Sequence, residues 1–463
     1  MERTTYRNIS FITLALIIVL LVATTFIEKY YGTEVTREHV YYSPLFVALW
    51  MILTMSAIAY IINVSRRFTL IMLHISLAVV LSGAFISFLT SQRGTILLHM
   101  GAAPASIYTT DDNRFEKLPF RMTLANVDTC HSNAGAYYAD VAVETVDNRN
   151  TMRVTLNNPI RIKGYSLCIS SISDEHLSLL VSYDHYGLPI SYTGYLMTLI
   201  FFIAILFDRK SHWRSLLKRI GKKENTKKND YNGLKRRSAT LVLALTILGI
   251  IRWYDTGLFP VTNGKECMLF FIWISFLLAV IATYRKELQP IASTFFVLGG
   301  IAVFTVPFMW NSDGGEVAPI LRTPLLGIHV TTIIIAYVLL GCTAINASVA
   351  LFFGLALKKE EKMERFATIG RILLYPATLL LMTGIFIGAV WANISWGRYW
   401  GWDPKEVWAL ITLLTCSLLF HTRSLPFMAK ALNFHIFSLL AFLTMLFTFF
   451  GVNYLFGGLH SYM

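Results

Sequence analysis

The chain has 463 residues, of which 55% are hydrophobic and only 14% charged, and its mean hydropathy is +0.56. This composition excludes an ordinary soluble globule with a single core and indicates a polytopic membrane protein. The formal net charge of +13 does not indicate nucleic-acid binding, because twelve Lys and Arg lie between Asp208 and Arg237 with hydrophobic segments on both sides, which is typical of a cytoplasmic loop beside anionic lipid.

Eleven nearly uncharged runs predict transmembrane helices, since about 20 apolar residues are needed to cross a hydrocarbon core. They cover residues 9–27, 44–63, 68–90, 188–207, 239–255, 267–284, 291–310, 325–357, 372–391, 407–421 and 433–456. The first run follows Arg3 and Arg7 and lacks a clear cleavage site, so we expect a retained helix with the N-terminus in the cytoplasm. The predicted fold is all-α and polytopic, with about 11 transmembrane helices.

If the first helix runs from the cytoplasm outwards, the eleven helices place the cations of the chain where they are expected. The basic stretches all fall in the cytoplasm, as the positive-inside rule requires. They are residues 65–67, 208–237, 285–286, 358–365 and 423–430. The same threading places outside the membrane the loop 28–43, a long polar segment at about 91–187, short loops near 256–266, 311–324 and 392–406, and the C-terminus 457–463.

The polar segment 91–187 alternates apolar and polar residues, for example over 138–143. This period predicts a small β-rich extracytoplasmic domain between helices 3 and 4. Its Cys130 and Cys168 would lie in an oxidising compartment, where a disulfide and two unpaired thiols are both open.

The basic segment divides the chain as though two proteins had been joined. A four-helix half at 1–207 is followed by a cytoplasmic linker at 208–238 and a seven-helix half at 239–463. The three cysteines of the second half lie in or at predicted helices, where buried structural thiols are expected. No CxxCH occurs in the sequence, so the protein is not itself a covalent c-type cytochrome.

The most informative segment is 391–408, a predicted external loop with five Trp and one Tyr in eighteen residues. An interfacial aromatic belt is the simpler explanation. The interspersed Gly397, Gly401, Asp403 and Lys405 indicate a shaped loop instead. A flat aromatic surface with a few charges suits a large planar ligand such as a porphyrin, whose face stacks on rings while its propionates seek cations.

The string WGRYWGWDPKE at 396–406 resembles the tryptophan-rich WWD motif of haem-handling proteins. Over about 240–463 the resemblance is to the CcsA branch, through three further stretches at 421–423, 451–454 and 458–462. The first half resembles the ResB (Ccs) family through two stretches at 171–174 and 183–189. Together the halves resemble the fused CcsBA type of cytochrome c synthase of the system II pathway.

This resemblance implies a cytochrome c haem lyase of the bacterial cytoplasmic (inner) membrane. Such a holocytochrome c synthase exports haem b and attaches it through thioether bonds to the CxxCH cysteines of apocytochrome c. Only reduced thiols react, so a thioredoxin-like thiol reductant is an expected partner. Membrane lipid is a further partner, and nucleic acid is not.

Four histidines are predicted to lie in two layers, and a pair of histidines can fill both axial positions of haem iron. His74 lies about six residues into helix 3, roughly 9 Å from the cytoplasmic side, and His421 ends helix 10 at that side. His329 begins helix 8 at the outer face, and His460 follows helix 11. The family resemblance supports the same inner pair and outer pair, and His435 is a rival for the inner one.

The outer haem would lie on the aromatic segment. The expected stacking residues are Trp391, Trp396, Trp400 and Trp402. The expected catalytic set combines the outer pair with the loop and comprises His329, His460, Trp396, Trp400, Trp402 and Asp403.

Charged residues near the loop have two possible roles. Arg322, Arg398 and Lys405 either pair with haem propionates or are solvated loop charges. We expect Asp403 and Glu406 to shape the loop through hydrogen bonds or ion pairs rather than to act as acids or bases themselves.

The predicted mechanism has haem enter at the inner pair and move to the outer pair, where the loop exposes its vinyl groups to the CxxCH thiols. A haem exporter or chaperone without ligation chemistry would share the WWD motif. A dihaem b-type electron-transfer subunit would also hold two bis-His sites, but such subunits usually take their ligands from within spanning helices. His329 and His460 are expected at or beyond helix ends.

Overall fold

The computed structural model describes residues 2–111, 113–128, 138–145, 148–223, 231–285, 288–307 and 319–456. Its α-helices are α1 (Glu2–Tyr31), α2 (Thr33–Thr36), α3 (Pro44–Val64), α4 (Phe68–Thr90), α5 (Gly187–Phe207), α6 (His212–Lys223), α7 (Asn232–Thr256), α8 (Gly264–Thr283), α9 (Gln289–Val303), α10 (Pro324–Leu351), α11 (Glu360–Trp396), α12 (Pro404–Leu418), α13 (Ala431–Leu446) and α14 (Val452–Leu455). Its strands are β1 (Gln92–His99), β2 (Ala105–Thr110), β3 (Phe115–Asp128), β4 (Tyr138–Glu144), β5 (Arg149–Thr155), β6 (Ile160–Ile162), β7 (Tyr165–Ile172) and β8 (His176–Tyr183).

Eight of the described helices are long and apolar enough to cross a membrane, and each coincides with a predicted span. They are α1, α3, α4, α5, α8, α10, α11 and α13. A helix satisfies its backbone N–H and C=O groups internally, which is why apolar runs of this length fold as helices in lipid. The other three predicted spans coincide with α7, α9 and α12, and α9 has only 15 residues. The predicted fold class is confirmed, whereas the count of eleven crossings stays a prediction.

The helix before the aromatic segment is longer than predicted. α11 runs through 37 residues to Trp396 and ends where Gly397 adopts the left-handed conformation, with φ of 68°. Tryptophan does not terminate a helix, whereas glycine reaches positive φ without a steric penalty. Because α12 begins at Pro404, the loop predicted at 391–408 is confined to residues 397–403.

Residues 92–183 form one eight-stranded antiparallel sheet, in the order β5-β4-β3-β2-β1-β8-β7-β6. The two edge strands, β5 and β6, are consecutive in the chain and are joined by residues 156–159 alone. That connection reaches at most ~17 Å, whereas eight strands laid flat would span about 33 Å. The sheet therefore curls until its edges approach each other. Its inward side chains form a core that includes Tyr108, Met122 and Leu167.

This β-domain lies at the end of the bundle where α4 finishes and α5 begins, which we call the β-domain end. A single residue separates α4 from β1. The domain also contacts the last turn of α11, since the Ser395 hydroxyl donates to Asn157 Oδ1 at 2.9 Å and the Cys168 thiol donates to the Ile394 carbonyl at 3.5 Å. The 397–403 loop is consequently held at the same end.

The predicted linker 208–238 contains α6, which packs onto the second half of the chain. The Trp213 indole N–H donates to the Ile372 carbonyl of α11 at 3.0 Å. Leu216 and Ile220 are buried in the largest core of the second half. The linker therefore fastens the two halves together at the end opposite the β-domain.

Glycines bring α4 and α5 into backbone contact. A Cβ atom at Gly194 would lie 2.7 Å from the backbone nitrogen of Val80, and one at Gly83 would lie 2.5 Å from that of Ser191. Small residues allow membrane helices to approach this closely. The contact fixes the position of α4, which carries His74.

Gly194→Ala is expected to destabilise the protein by about 1–3 kcal/mol, because the added methyl group overpacks the interface between α4 and α5. Thermal unfolding in detergent, followed by circular dichroism, measures this effect as a lowered Tm. Gly300→Ala is the matched control, since a Cβ atom at Gly300 meets nothing within 4 Å. Equal Tm values for the two variants would contradict the close contact.

Candidate functional site

Two of the predicted iron ligands meet at the end opposite the β-domain. His74 lies in the second turn of α4, and His421 lies in the turn beyond α12, which ends at Leu418 rather than at His421 as predicted. The centres of the two imidazole rings are 6.2 Å apart and their planes are at 89°. With metal–nitrogen bonds of about 2 Å and ~1 Å from nitrogen to ring centre, two imidazoles on opposite sides of one metal have centres about 6 Å apart. The spacing fits a shared axial pair.

The hydrogen bonds of both rings suit iron binding. His74 Nδ1 lies 2.8 Å from the Leu70 carbonyl, and His421 Nδ1 lies 2.8 Å from the Ser417 carbonyl. A carbonyl oxygen can only accept, so Nδ1 carries the proton in each ring, a tautomer that we infer from these hydrogen bonds. Nε2 then holds the lone pair that binds a metal, while the carbonyl orients the ring.

His435, the predicted rival for the inner pair, is engaged elsewhere. It is fully buried on α13, and its Nε2 lies 3.0 Å from the Met363 carbonyl of α11. The His74 ring faces His421 instead. The geometry therefore favours His74 and His421 as the inner pair.

His329 lies in the second turn of α10, towards the β-domain end, with its ring inserted against α11. Its Nδ1 lies 2.7 Å from the Gly384 carbonyl, so the same tautomer follows as for the inner pair. A Cβ atom at Gly388 would lie 2.7 Å from Cε1 of the ring. Gly388 therefore opens the groove that accommodates the imidazole, whereas Gly384, one turn earlier on α11, makes room for the Ile333 side chain and supplies the carbonyl that His329 contacts.

His329 is the sixth residue of α10 and therefore lies close to the helix end where the sequence analysis placed it. His460, the predicted second ligand of the outer pair, lies outside the described residues, so the outer pair stays a prediction.

The 397–403 loop is shaped by carboxylates at the start of α12. Asp403 is the N-cap residue and accepts from the Lys405 backbone N–H at 2.9 Å. Glu406 Oε2 accepts from the backbone N–H groups of Gly401 at 2.8 Å and of Asp403 at 3.3 Å. The arrangement is a capping box, which satisfies the first backbone donors of the helix. Both acids therefore shape the loop, as expected from the sequence.

The aromatic residues do not form the flat exposed surface that was predicted. Trp391 is 2% exposed, and Trp396, Trp400 and Trp402 are half-buried. Trp391 meets Trp396 at 4.8 Å with planes at 70°, and Trp400 meets Trp402 at 5.8 Å with planes at 88°. Because α11 continues through Trp396, successive side chains point to different faces of the helix. The rings line an interface within the protein.

The loop is bound to the first half of the chain. Trp402 stacks on Tyr41 with ring centres 4.5 Å apart and planes at 10°. The Tyr399 hydroxyl donates to Ser87 Oγ at 3.1 Å and accepts from Ser191 Oγ at 3.4 Å. Trp402 has φ of 59°, a conformation that costs a bulky residue about 1–2 kcal/mol. The stacking and the helix cap together hold this strained backbone in place.

The three predicted cations lie in different surroundings. Arg322 is half-buried immediately before α10, and Arg398 is half-buried within the loop. Lys405 Nζ donates to the side-chain oxygen of Asn453 at 2.9 Å, which ties α12 to α14. Of the three, Lys405 therefore has a structural role, because it links the first turn of α12 to α14.

Two further arginines close to the loop were missed by the sequence reasoning. Burial lowers the pKa of the Arg398 guanidinium; Glu406 opposes this effect, and the charges of Arg93 and Arg37 add to it. Arg93 lies in β1 and Arg37 follows α2, far from the aromatic segment in sequence. The signal that could have identified them is their predicted location outside the membrane, where the positive-inside rule expects few cations.

The donor set fits haem better than a bare metal ion. Among the described residues, no group of three or more His, Cys, Asp or Glu side chains could hold a metal. A porphyrin supplies the equatorial ligands itself, so haem iron needs only its axial positions filled. A pair of imidazoles meets that requirement.

Comparison with known proteins agrees with the two-part organisation. Residues 63–185 match the ResB-like family, and residues 261–460 match the family of cytochrome c assembly proteins. The chain is 31% identical over 273 residues to the cytochrome c biogenesis protein CcsA of Atropa belladonna, a match that covers 86% of that protein and 50% of this chain. The chain belongs to the CcsA family. With its ResB-like segment, it is a fused ResB/CcsA-type cytochrome c biogenesis protein.

Two other relatives each match about half of this fused ResB/CcsA-type protein. CcsA of Guillardia theta is 29% identical over 296 residues, which cover 94% of that protein and 57% of this chain. Protein NrfI of Wolinella succinogenes is 33% identical over 229 residues, or 48% of this chain. That match spans only 25% of NrfI.

Cys168 of the ResB-like segment is a free thiol, 1% exposed, in β7. Cys130, its predicted possible partner, lies outside the described residues. Burial raises the pKa of the Cys168 thiol to about 11. Because the thiolate is the nucleophile, this cysteine is expected to be unreactive at neutral pH.

Cys168 is therefore expected to resist alkylation in the folded protein. With a pKa of about 11, roughly one thiol in three thousand is ionised at a pH of about 7.5. A Cys130→Ser background, treated with a maleimide and analysed by peptide mass spectrometry, measures the modification of Cys168 before and after unfolding in denaturant. Rapid labelling of the folded protein would contradict the buried position.

The stack between Tyr41 and Trp402 can be tested with a matched pair of variants. The Tyr41 hydroxyl is buried and has no hydrogen-bond partner among the described residues, so Tyr41→Phe should leave the Tm unchanged or raise it. Tyr41→Leu loses the stacked ring and should cost about 2 kcal/mol. Thermal unfolding of both variants measures the difference. If Tyr41→Phe were as damaging as Tyr41→Leu, the hydroxyl would have a role of its own.

Proposed function

We propose that this protein is a cytochrome c haem lyase, a holocytochrome c synthase, which carries haem b across the membrane and joins it to apocytochrome c. The observation that carries the proposal is the placement of histidines in two layers at opposite ends of the bundle. In His74, His421 and His329, Nδ1 bonds to a backbone carbonyl and Nε2 carries the lone pair for iron. Haem has charged propionates and needs such a route between helices, because burying unpaired charge in lipid is costly.

The proposed location is the bacterial cytoplasmic (inner) membrane, with the N-terminus in the cytoplasm. The described parts of the basic segment support this orientation, because α6 and the start of α7 lie at the end of the bundle opposite the β-domain. The β-domain, the 397–403 loop and the C-terminus would then be periplasmic. The division of the chain into 1–207, 208–238 and 239–463 belongs to the same proposal.

At the outer site, two cysteine thiols of a CxxCH segment would add across the vinyl groups of haem. Each addition forms one C–S and one C–H bond from an S–H bond and a C=C π bond, so it needs no net oxidant. The substrate cysteines must be reduced first, which makes a thioredoxin-like thiol reductant the expected partner.

The protein would act mainly by positioning the two reactants. Trp396, Trp400 and Trp402 would contact the porphyrin, and Asp403 would keep the loop in shape through the helix cap. His329 and His460 would hold the iron until the histidine of the substrate replaces one of them.

Co-expression with a CxxCH apocytochrome, in a host stripped of its own maturation system, tests this function. Wild type should yield covalent haem on the apocytochrome, detected by haem stain after a denaturing gel, because its outer pair holds the haem. His329→Ala and His460→Ala should lower the yield at least about tenfold, since each removes an iron ligand. The exposed His39 provides the matched control, His39→Ala, which should behave as wild type.

A haem exporter or chaperone is the alternative function. It would yield haem on the purified protein but no covalent haem on the apocytochrome, even with good expression and reduced substrate thiols. That result would contradict the lyase. Reversible redox midpoints together with quinol oxidation would indicate an electron-transfer subunit.

A further inference from the structure

Three guanidinium groups from separate parts of the chain converge beside the 397–403 loop. Arg398 belongs to the loop, Arg93 lies in β1, and Arg37 begins the helical turn that leads to Tyr41. All three are half-buried. Contacts at the junction of α4 and β1 bring them together. Tyr399, next to Arg398, bonds to Ser87 at the end of α4. The neighbouring Phe88 ring lies 5.4 Å from the ring of Tyr42, which the Arg37 guanidinium faces, and Arg93 follows in β1.

No carboxylate of the described residues lies within ion-pair distance of these three arginines. None of the three side chains forms an ion pair or a side-chain hydrogen bond with another described residue, and the Arg93 Nε is buried without a partner. The contact seen for Arg37 is with the face of the Tyr42 ring, at 6.0 Å. Three like charges held together in this way repel one another.

The neighbouring carboxylates are already occupied. Burial lowers the pKa of Arg398, and the charge of Glu406 raises it. The Oε2 atom of Glu406 accepts hydrogen bonds from two backbone N–H groups of the loop. Asp184 lies near Tyr399, where burial and the charge of Asp184 raise the pKa of the hydroxyl and the charge of Arg93 lowers it. Asp184 accepts hydrogen bonds from Ser87 Oγ at 2.5 Å and from two backbone N–H groups at the start of α5. Neither acid contacts the three arginines as an ion-pair partner within the described part of the chain.

Arginine is suited to this position because its planar guanidinium binds a carboxylate through two parallel hydrogen bonds. The proposed orientation also places the cluster on the side of the membrane where cations are sparse. The positive-inside rule therefore does not explain why three arginines lie together here.

We infer that Arg37, Arg93 and Arg398 form an anion site that binds the two propionate carboxylates of haem at the 397–403 loop. This inference rests on the proposed function and deepens it. Two of the three cations come from the first half of the chain, so the ResB-like half would complete the haem site of the CcsA-like half. Fixing the propionates on one side would turn the opposite edge of the porphyrin, which carries the vinyl groups, away from the cluster.

Titration of the purified full-length protein with two probes, haem and haem dimethyl ester, tests the inference. A His74→Ala, His421→Ala background removes the inner pair, so that absorbance reports the outer site. Arg93→Gln should weaken haem binding about tenfold and leave the ester unaffected, because the ester has no carboxylates. Arg93→Lys should restore part of the affinity by keeping the charge.

Arg121→Gln is the matched control, since Arg121 is an exposed arginine of the same β-domain. Equal haem affinities for Arg93→Gln and Arg121→Gln would overturn the anion site while leaving the lyase intact. Equal losses for haem and its ester would also overturn it, because they would indicate a general structural effect. Weaker binding to vesicles rich in anionic lipid, with haem affinity unchanged, would assign the cluster to lipid instead. Absence of haem binding by the background protein itself would count against the proposed function.

Discussion

The contact on which the site depends is the stacking of Trp402 on Tyr41, which joins the 397–403 loop to the first half of the chain. Trp402 adopts a left-handed backbone that an aromatic residue rarely takes. That conformation persists because the ring is stacked and because Asp403 caps the next helix directly after it. Strained backbone of this kind is found where the surrounding structure over-determines it, often at functional sites.

A second constraint is the cost of placing polar side chains within a membrane bundle. For His74 and His421 this cost is offset by a local hydrogen bond, since Nδ1 of each ring bonds to the carbonyl of the residue four positions earlier. His329 meets it through a carbonyl of a different helix, in a groove opened by glycine. In every case the same hydrogen bond that offsets the desolvation of the ring also selects the tautomer suited to iron.

The two halves of the chain are joined in space at both ends of the bundle. At one end, α6 of the linker inserts Trp213 against α11. At the other, the β-domain contacts the last turn of α11 and Tyr399 bonds to serines of α4 and α5. A fused chain keeps these surfaces together at a fixed ratio, which suits a site whose loop comes from one half and whose neighbouring cations come partly from the other.

The sequence by itself determined the membrane class, the β-rich insertion, the family and the four histidine candidates, because hydrophobic length, period-two alternation and the WWD string are local signals. It misplaced the end of α11, since a run rich in tryptophan reads as a loop although only Gly397 breaks the helix. Tertiary structure alone decided that His74 faces His421 while His435 bonds to Met363. It alone also brought Arg37 and Arg93 to the loop, because contacts between residues hundreds of positions apart depend on how the helices pack and leave no trace in local periodicity.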